Sequence, residues 1–158
     1  AMAAGLAAMV ASMSRGKKAY LQYESQLSSA IARLTPLREE LKTAIDADAQ
    51  SYDSVMKAYK AARSGGDEKS GEIFIQTALK EATLVPLGVA EKAHEIAQIT
   101  NSLETITNPN MKSDLTTALA LAAAAITGAR ANVEINLASL KDQSFKESIL
   151  QRTAKLGT

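Results

Sequence analysis

The sequence has no cysteine, no tryptophan and a single histidine among its 158 residues. The lack of cysteine excludes disulfides, thiolate nucleophiles and zinc-thiolate sites. Aromatic residues make up only 4% of the chain although 46% of it is hydrophobic, so the core must be built from Ala, Leu, Ile, Val and Met. Strands favour the aromatic and β-branched runs that are missing here. With only three prolines and eight glycines to interrupt helices, we predict a single all-α domain over residues 1–158.

The charge is nearly balanced, with 18 basic and 17 acidic residues and a net charge of +1. This balance is too even for the electrostatic footprint of a nucleic-acid-binding or anionic membrane-binding protein. Residues 1–13 are apolar but too few to span a bilayer, and the basic residues follow them, whereas a secretory signal has its basic residues first. We therefore expect a cytoplasmic protein with no nucleic-acid or membrane partner and no segment of transmembrane length.

Hydrophobic periodicity and breaker residues predict a bundle of about five helices, some of them long. The first is expected to end at Thr35-Pro36 and to be weak at Gly16. The third is expected to kink at Pro86, because proline removes one backbone hydrogen bond. The predicted ranges are about 2–34, 36–64, 71 to the turn at 107–110, 113–140, and a short final helix after the capping-box pair Ser144 and Glu147. Residues 65–70 are predicted to form a loop.

Asp48 stands where the second predicted helix calls for a hydrophobic side chain. It completes an apolar stripe at three- and four-residue steps formed by Leu41, Ile45, Tyr52, Val55, Met56 and Tyr59. Asp46 lies on another face of the helix. An ionised carboxylate in the interior needs a partner, a polar cavity or a shifted pKa, so Asp48 is a candidate functional acid. The alternative is a helix rotated by a few tens of degrees, with Asp48 at a wet boundary.

The fourth predicted helix carries a second row of residues beside its core stripe. The row is small in the middle and polar at both ends: Asp114, Ala118, Ala122, Ala125, Ala129, Asn132 and Asn136. Small residues allow close approach of a flat ligand, and the asparagine amides offer both donors and an acceptor to a heteroaromatic ring. The alternative is a tight helix-helix contact with the asparagines at a solvated edge.

Several other kinds of site are disfavoured. Glu91 and His94 have the Glu-x-x-His spacing of di-iron bundles, but that site needs the motif twice and His94 is the only histidine. No Gly-x-Gly-x-x-Gly or Walker loop is present. A catalytic triad built on His94 would lack a nucleophile elbow. Enzymatic chemistry in this chain must rest on carboxylates, amides, lysines and tyrosines.

A set of short motifs, spread over nearly the whole chain, is similar to one known family. They are Ser12 to Lys18, Ile45-Asp-Ala-Asp-Ala49, Val85-Pro86-Leu87, Ser113-Asp114-Leu115, Asn132-Val133, Ile135-Asn136-Leu137 and Phe145-Lys146. In this order they resemble the cyclodeaminase domain of formiminotransferase-cyclodeaminase and its bacterial relatives, which include methenyltetrahydrofolate cyclohydrolases. The resemblance implies an all-helical protein that binds tetrahydrofolates, uses no metal or cofactor and self-associates. The family's Pro-Thr-Pro-Gly-Gly-Gly loop is expected to precede residue 1.

The same resemblance assigns expected roles to individual residues. Asp48 matches the proposed acid-base group, and Asp114, Asn132 and Asn136 match positions near the folate cleft. Arg15, Lys17 and Lys18 are candidates to meet the glutamate tail of the folate, with a solvated basic turn as the alternative.

The expected activity is conversion of 5-formiminotetrahydrofolate to 5,10-methenyltetrahydrofolate with release of ammonia. The first alternative is hydrolysis of the methenyl compound to 10-formyltetrahydrofolate. The second is a non-catalytic helical interaction module, which predicts an exposed Asp48 and no cleft beside Asn132. The apolar first helix and the alanine-rich fourth helix further predict a homodimer or higher assembly. A formiminotransferase is a possible partner or fused domain.

Overall fold

The computed structural model describes residues 1–64 and 68–156, which form five α-helices and two short 3-10 helices, with no strand among them. The α-helices are α1 (Met2–Ser14), α2 (Glu24–Ser64), α3 (Glu68–Leu103), α4 (Lys112–Ala138) and α5 (Gln143–Ala154); the 3-10 helices are Lys18–Tyr23 and Pro109–Met111. The prediction of an all-α bundle is confirmed. In the predicted loop, residues 65–67 lie outside the described residues, and residues 68–70 already belong to α3.

The prediction of one helix over 2–34 is wrong: the chain forms α1 up to Ser14, and α2 starts at Glu24 and continues past residue 34. The helix breaks after Ser14, because Gly16 adopts a φ of 72°, which glycine alone tolerates without strain. The Gly16 amide then donates to the Glu24 carboxylate at 2.9 Å, at the start of α2. Pro36, where the first helix was expected to end, lies inside α2. Pro36 and Ala32, whose carbonyl loses its helical donor, are both exposed, so water can satisfy that carbonyl.

α3 is the central helix and contacts every other α-helix of the chain. α1 lies in the furrow between α2 and α4, where alanines allow the backbones to approach closely. Ala4 and Ala7 of α1 belong to the same buried cluster as Ala118 and Ala122 of α4. The small faces of α1 and α4 therefore cover each other within one chain. Met2 and Met13 of α1 and Ala123 to Ala125 of α4 remain exposed, and the predicted dimer stays a prediction.

α5 is attached to α3 through Asp142, which caps its first turn in place of the predicted Ser144 and Glu147 pair. The Asp142 carboxylate accepts from Lys80 Nζ at 2.6 Å and from the Phe145 amide at 3.0 Å. The hydrogen bond from Lys80, followed by those from Phe145 and Ser144, holds the pKa of Asp142 far below its usual range. Lys80 Nζ also lies 5.5 Å from the centre of the Phe145 ring. These contacts hold the segment that follows α4 against α3.

Two segments, 68–103 and 109–138, are long and apolar enough to cross a membrane by length and composition alone. The expectation that no segment reaches transmembrane length is therefore wrong as a statement about length and hydropathy. The core helix of a packed bundle passes the same test, because it buries apolar side chains against several neighbours. α3 and α4 make such contacts with each other and with α1.

Candidate active site

The furrow that holds α1 continues beyond the N-terminus of that helix, and this second part is open. Asn132 and Asn136 follow Ala118 and Ala122 by fourteen residues, or about four helical turns, so all four lie on one face of α4. Tyr52 follows Arg38 on α2 by the same interval, and Arg38 lies against Gly5 of α1. The same faces of α2 and α4 that enclose α1 at one end of the bundle thus face an empty groove at the other.

This open groove has a volume of about 300 Å³, at the lower end of the range for small-molecule sites. α3 forms its floor, and α2 and α4 form its walls. The lining residues are Asp48, Ser51, Tyr52 and Val55 of α2, Ala82 and Pro86 of α3, and Asn132, Ile135 and Asn136 of α4. Three residues selected from the sequence, Asp48, Asn132 and Asn136, are therefore brought together by the fold although they are far apart in the chain.

Asp48 is exposed in the single chain, so the prediction that it is buried is wrong. Four apolar members of the stripe that it completes are exposed too: Ile45 is 69%, Tyr52 65%, Met56 50% and Tyr59 36% exposed. Leu41 and Val55, the other two, are half-buried. The residues of α2 that turn towards α3 are instead Ala44, Ala47, Ser51, Val55 and Ala58, which are half-buried. The helix is rotated from the predicted orientation, so that this row faces α3 and the stripe faces the furrow.

Asn136 has a fixed hydrogen-bond partner within the chain. Its Nδ2 donates to the Ala82 carbonyl of α3 at 3.0 Å, and the side chain is half-buried at the groove floor. Asn132, one turn earlier on α4, is exposed, and its amide has no hydrogen bond to the described residues. The groove therefore contains one oriented amide and one that is free to adapt.

Ser51 and Tyr52 also line the groove, and the sequence argument did not select either as a site residue. Tyr52 was assigned to the core stripe, although its position four residues after Asp48 places both on one face of α2. Ser51 Oγ donates to the backbone carbonyl of Asp48 at 2.8 Å. The Tyr52 hydroxyl adds a second group next to the carboxylate that can exchange a proton with a ligand.

The two halves of the small-residue row on α4 have different surroundings, and ligand binding by the row stays a prediction. Ala118 and Ala122 are buried against α1, which is the tight helix contact. Asn132 and Asn136 line the open groove. The alternative of a non-catalytic module predicts an exposed Asp48, which the structure has, and no cleft beside Asn132, where the structure has one.

The remaining predicted site residues lie elsewhere in the single chain. Arg15 is 3.6 Å from Glu24, the first residue of α2. Glu24 precedes Asp48 by 24 residues, or about 36 Å of helix. Lys17 and Lys18 are exposed beside Arg15, as the alternative of a solvated basic turn predicts. Asp114 is half-buried in the first turn of α4, eighteen residues or about 27 Å before Asn132.

The Glu91 and His94 pair does not form a site within the described residues. Glu91 makes a double hydrogen bond to Arg152 of α5, with both distances 2.8 Å. His94 Nε2 lies 3.0 Å from Gln98 Nε2. In the part of the chain that the structure describes, no three histidine, aspartate or glutamate side chains converge as they would around a metal ion.

The fold is that of an all-helical protein with an open groove between three of its helices. The family model described as formiminotransferase-cyclodeaminase matches residues 1–155. A methenyltetrahydrofolate cyclohydrolase of Methylorubrum extorquens is 34% identical over 152 residues, which are 96% of this chain and 73% of the relative. The solved structure of a formiminotetrahydrofolate cyclodeaminase from Thermotoga maritima aligns with a TM-score of 0.89 at 31% identity, over 98% of this chain and 74% of that one. The chain therefore belongs to the formiminotransferase-cyclodeaminase family.

The bifunctional relatives are much longer than this chain. The formimidoyltransferase-cyclodeaminase of Gallus gallus is 33% identical over 156 residues, which are 98% of this chain but 29% of that protein. The chain thus corresponds to less than a third of the animal protein.

Proposed function

We propose that this chain is a folate one-carbon enzyme that converts 5-formiminotetrahydrofolate to 5,10-methenyltetrahydrofolate with release of ammonia. The observation that carries the proposal is the convergence of Asp48, Asn132 and Asn136 in one groove. The chain that contains this groove superposes on a formiminotetrahydrofolate cyclodeaminase over nearly its whole length. A carboxylate supplies proton transfer, and the two amides supply orientation.

The atoms and charges of the reaction balance without an external oxidant or a resident cofactor. N10 of the folate attacks the carbon of the protonated formimino group on N5, and a new C–N bond forms. N10 loses its proton, the leaving amine gains one, and the bond from carbon to the amine breaks. An amidinium cation thus becomes the methenyl cation plus neutral ammonia. One group that accepts the N10 proton and donates a proton to the amine can serve both steps.

Asp48 is the group that we assign to this proton transfer. Its carboxylate lies on the groove wall with Tyr52 one turn further along the same face. A carboxylate is a better proton shuttle near neutral pH when water is excluded from it. Because Asp48 is exposed in the single chain, we propose that bound folate and a second copy of the chain provide that cover.

The two asparagines are proposed to bind the ring system of the folate. Both project from α4 into the groove, one turn apart, with the apolar Ile135 and Pro86 nearby for contact with the ring faces. Within one chain, Arg15, Lys17, Lys18 and Asp114 are too far from the groove to join them. Contact of these four residues with folate would require an assembly of chains.

Cyclohydrolysis is a second candidate function, favoured by the 34% identity to the Methylorubrum extorquens cyclohydrolase over 73% of its length. In that reaction water attacks the methenyl carbon, and the bond from carbon to N5 breaks to leave 10-formyltetrahydrofolate. The same carboxylate would accept one proton of water and return it to N5. The second proton of water leaves to solvent as the formyl carbonyl forms, which accounts for the charge of the methenyl cation.

One assay separates the candidates: the chain is mixed separately with 5-formimino- and 5,10-methenyltetrahydrofolate while the methenyl absorbance is followed. Appearance of the chromophore from the formimino compound is the expected result. Enzyme-dependent loss of the chromophore from the methenyl compound, without activity on the formimino compound, would instead identify a cyclohydrolase. No effect on either rate would contradict both proposals and support the non-catalytic module.

We further propose that the exposed stripe on α2 pairs with the same stripe of a second copy. Its exposed members Ile45, Tyr52, Met56 and Tyr59, together with the adjacent exposed Ala49, repeat at four- and three-residue steps, which is the pattern of a helix-helix seam. An interface made of one surface used twice closes as a two-fold dimer.

The charges beside the stripe favour an antiparallel arrangement of the two helices. In the segment 45–63, the acidic residues Asp46, Asp48 and Asp53 lie in the first half and the basic residues Lys57, Lys60 and Arg63 in the second. None of the six forms an ion pair with another described residue of the chain. Two antiparallel copies would place each acidic half against the partner's basic half, whereas a parallel pair would oppose like charges.

A formiminotransferase activity is the proposed source of the substrate, because the formimino group must first be attached to N5. In the Gallus gallus relative, both activities are named in one protein. For this chain, the transferase is proposed as a separate partner or an attached domain.

A further inference from the structure

Pro86 creates an unusual acceptor at the floor of the groove. In a regular α-helix the amide of residue 86 would donate to the carbonyl of Ala82, and proline has no such amide. Ala82 and Pro86 are both buried, and α3 continues through them. The Ala82 carbonyl therefore loses its helical donor in a place where an unpartnered polar group is costly.

Asn136 supplies the missing donor from the neighbouring helix. Its Nδ2 lies 3.0 Å from the Ala82 oxygen. The opposite orientation of the amide would bring two oxygens together, so the bond determines which end of the side chain faces α3. No described residue donates to Asn136 Oδ1, and Asn136 lines the groove. The oxygen is thus the atom left for a ligand.

We propose that Pro86 is a positioning residue that orients Asn136 as a hydrogen-bond acceptor for an N–H group of the ligand. This inference rests on the proposed function, in which the ligand is a reduced folate whose ring carries N–H donors. The Asn132 amide has no fixed partner and can turn either its oxygen or its nitrogen towards the ligand. Asn136 presents its oxygen and therefore favours a ligand with an N–H donor. The backbone donor that is missing at Pro86 thus fixes the orientation of the Asn136 amide.

The central test replaces Pro86 by Ala, which restores the helical amide and releases Asn136 from the Ala82 carbonyl. Proline is the least favourable residue within a helix, so the unfolding temperature of Pro86→Ala should rise. The KM for folate should nevertheless increase about three- to tenfold, the equivalent of one hydrogen bond, with kcat nearly unchanged. Because Pro86 also lines the groove, a double-mutant cycle with Asn136 decides whether weaker binding comes from the released amide or from lost contact with the ring.

Pro36→Ala is the matched control, because Pro36 is also a proline inside a long helix. Ala32, four residues earlier, is exposed, and no side chain among the described residues donates to its carbonyl. This variant should also unfold at a higher temperature, but its KM should equal that of the wild type.

A double-mutant cycle separates the role of Asn136 from a direct effect of Pro86 on the groove. Asn136→Ala should lower the unfolding temperature when residue 86 is Pro and should have much less effect when it is Ala, because the helix then satisfies the Ala82 carbonyl. Adding Pro86→Ala to Asn136→Ala should cause no further rise in KM.

The stability cycle needs no folate, so it remains informative if the proposed function fails. A wild type without folate turnover would contradict the proposed function. An active wild type whose KM is unchanged by Pro86→Ala would overturn the positioning role. Additive effects of the two substitutions on the unfolding temperature would overturn the Pro86 and Asn136 coupling itself.

Discussion

At the scale of residues, Asp48 differs from the other exposed carboxylates of α2 in what surrounds it. It lies on the groove wall with Tyr52 and across from the amides of α4. Asp46, two residues earlier, is also exposed but is turned about 160° away at 100° per residue. The two aspartates have similar chemistry and different neighbours, so they form a matched pair for mutation.

We predict that Asp48→Asn lowers folate turnover by about two to four orders of magnitude, the usual scale for a general acid-base group. The amide keeps the shape of the side chain but has no titratable proton. Thermal stability should change little, because the Asp48 carboxylate has no hydrogen bond or ion pair to the described residues and surface substitutions of this kind are near neutral. Steady-state kinetics and a thermal melt measure the two effects.

Asp46→Asn is the control and should keep nearly wild-type turnover, because its side chain is outside the groove. Near-normal turnover in the Asp48 variant, or a larger loss in the Asp46 variant, would show that the proton transfer has been assigned to the wrong group.

At the scale of elements, α2 and α3 approach each other closely at one point outside the groove. Gly71 is buried near the start of α3, and a Cβ added to it would lie 2.9 Å from Ala62 Cβ and 3.1 Å from Ala62 Cα of α2. The absence of a side chain at Gly71 therefore sets the spacing of the two helices at that point.

We predict that Gly71→Ala destabilises the fold although alanine is the better helix former. Overpacking costs about 1–3 kcal/mol, which exceeds the gain in helix propensity of about 1 kcal/mol. Gly128 in the middle of α4 is the matched control, since its added Cβ would meet no atom within 4 Å. Gly128→Ala should stabilise the chain by about 0.5–1 kcal/mol. Denaturant unfolding of both variants measures the difference, and a stabilised Gly71→Ala would show that the helices separate without cost.

At the scale of the whole molecule, the open half of the furrow and the exposed stripe of α2 are one feature. α1 covers one half of the furrow within the chain, and the proposed second copy covers the stripe beside the other half. That cover is also the proposed source of water exclusion at Asp48, so assembly and activity should be lost together.

We predict that the wild type sediments as a dimer at micromolar concentration and that Met56→Glu produces a monomer with reduced turnover. Met56 is half exposed within the stripe, where a carboxylate would be desolvated and unpaired in the interface. Leu150→Glu is the control, because Leu150 of α5 is exposed to the same degree outside the stripe. Only monomers of the wild type, or equal effects of the two variants, would contradict the α2 interface.

Charge reversal tests the same pairing from the other direction. A variant with Asp46→Lys and Asp53→Lys and a variant with Lys57→Glu, Lys60→Glu and Arg63→Glu should each self-associate weakly, because like charges meet in both. Mixing the two should restore dimers made of one chain of each kind. Failure of the mixture to associate, with both chains folded, would show that these helices do not face each other.

Local sequence features determined the helical class and most of α4. Scarce aromatics, few breakers and apolar residues at helical spacing each favour helices through local interactions alone, and the range predicted for α4, 113–140, agrees closely with Lys112–Ala138. Asp48, Asn132 and Asn136 were also accessible from the sequence, because a polar residue in an apolar or small-residue row is visible in the pattern itself.

Only the tertiary structure decided which neighbour each helix face meets. The stripe around Asp48 has the spacing of a core face, yet most of it is exposed, because no described helix lies against it. Pro36 and Pro86 each remove one backbone hydrogen bond from a helix. The Ala32 carbonyl, opposite Pro36, is left to solvent, whereas the Ala82 carbonyl, opposite Pro86, accepts a hydrogen bond from Asn136. Periodicity shows that one face of a helix is apolar. Whether that face is buried depends on which element, ligand or second chain lies against it.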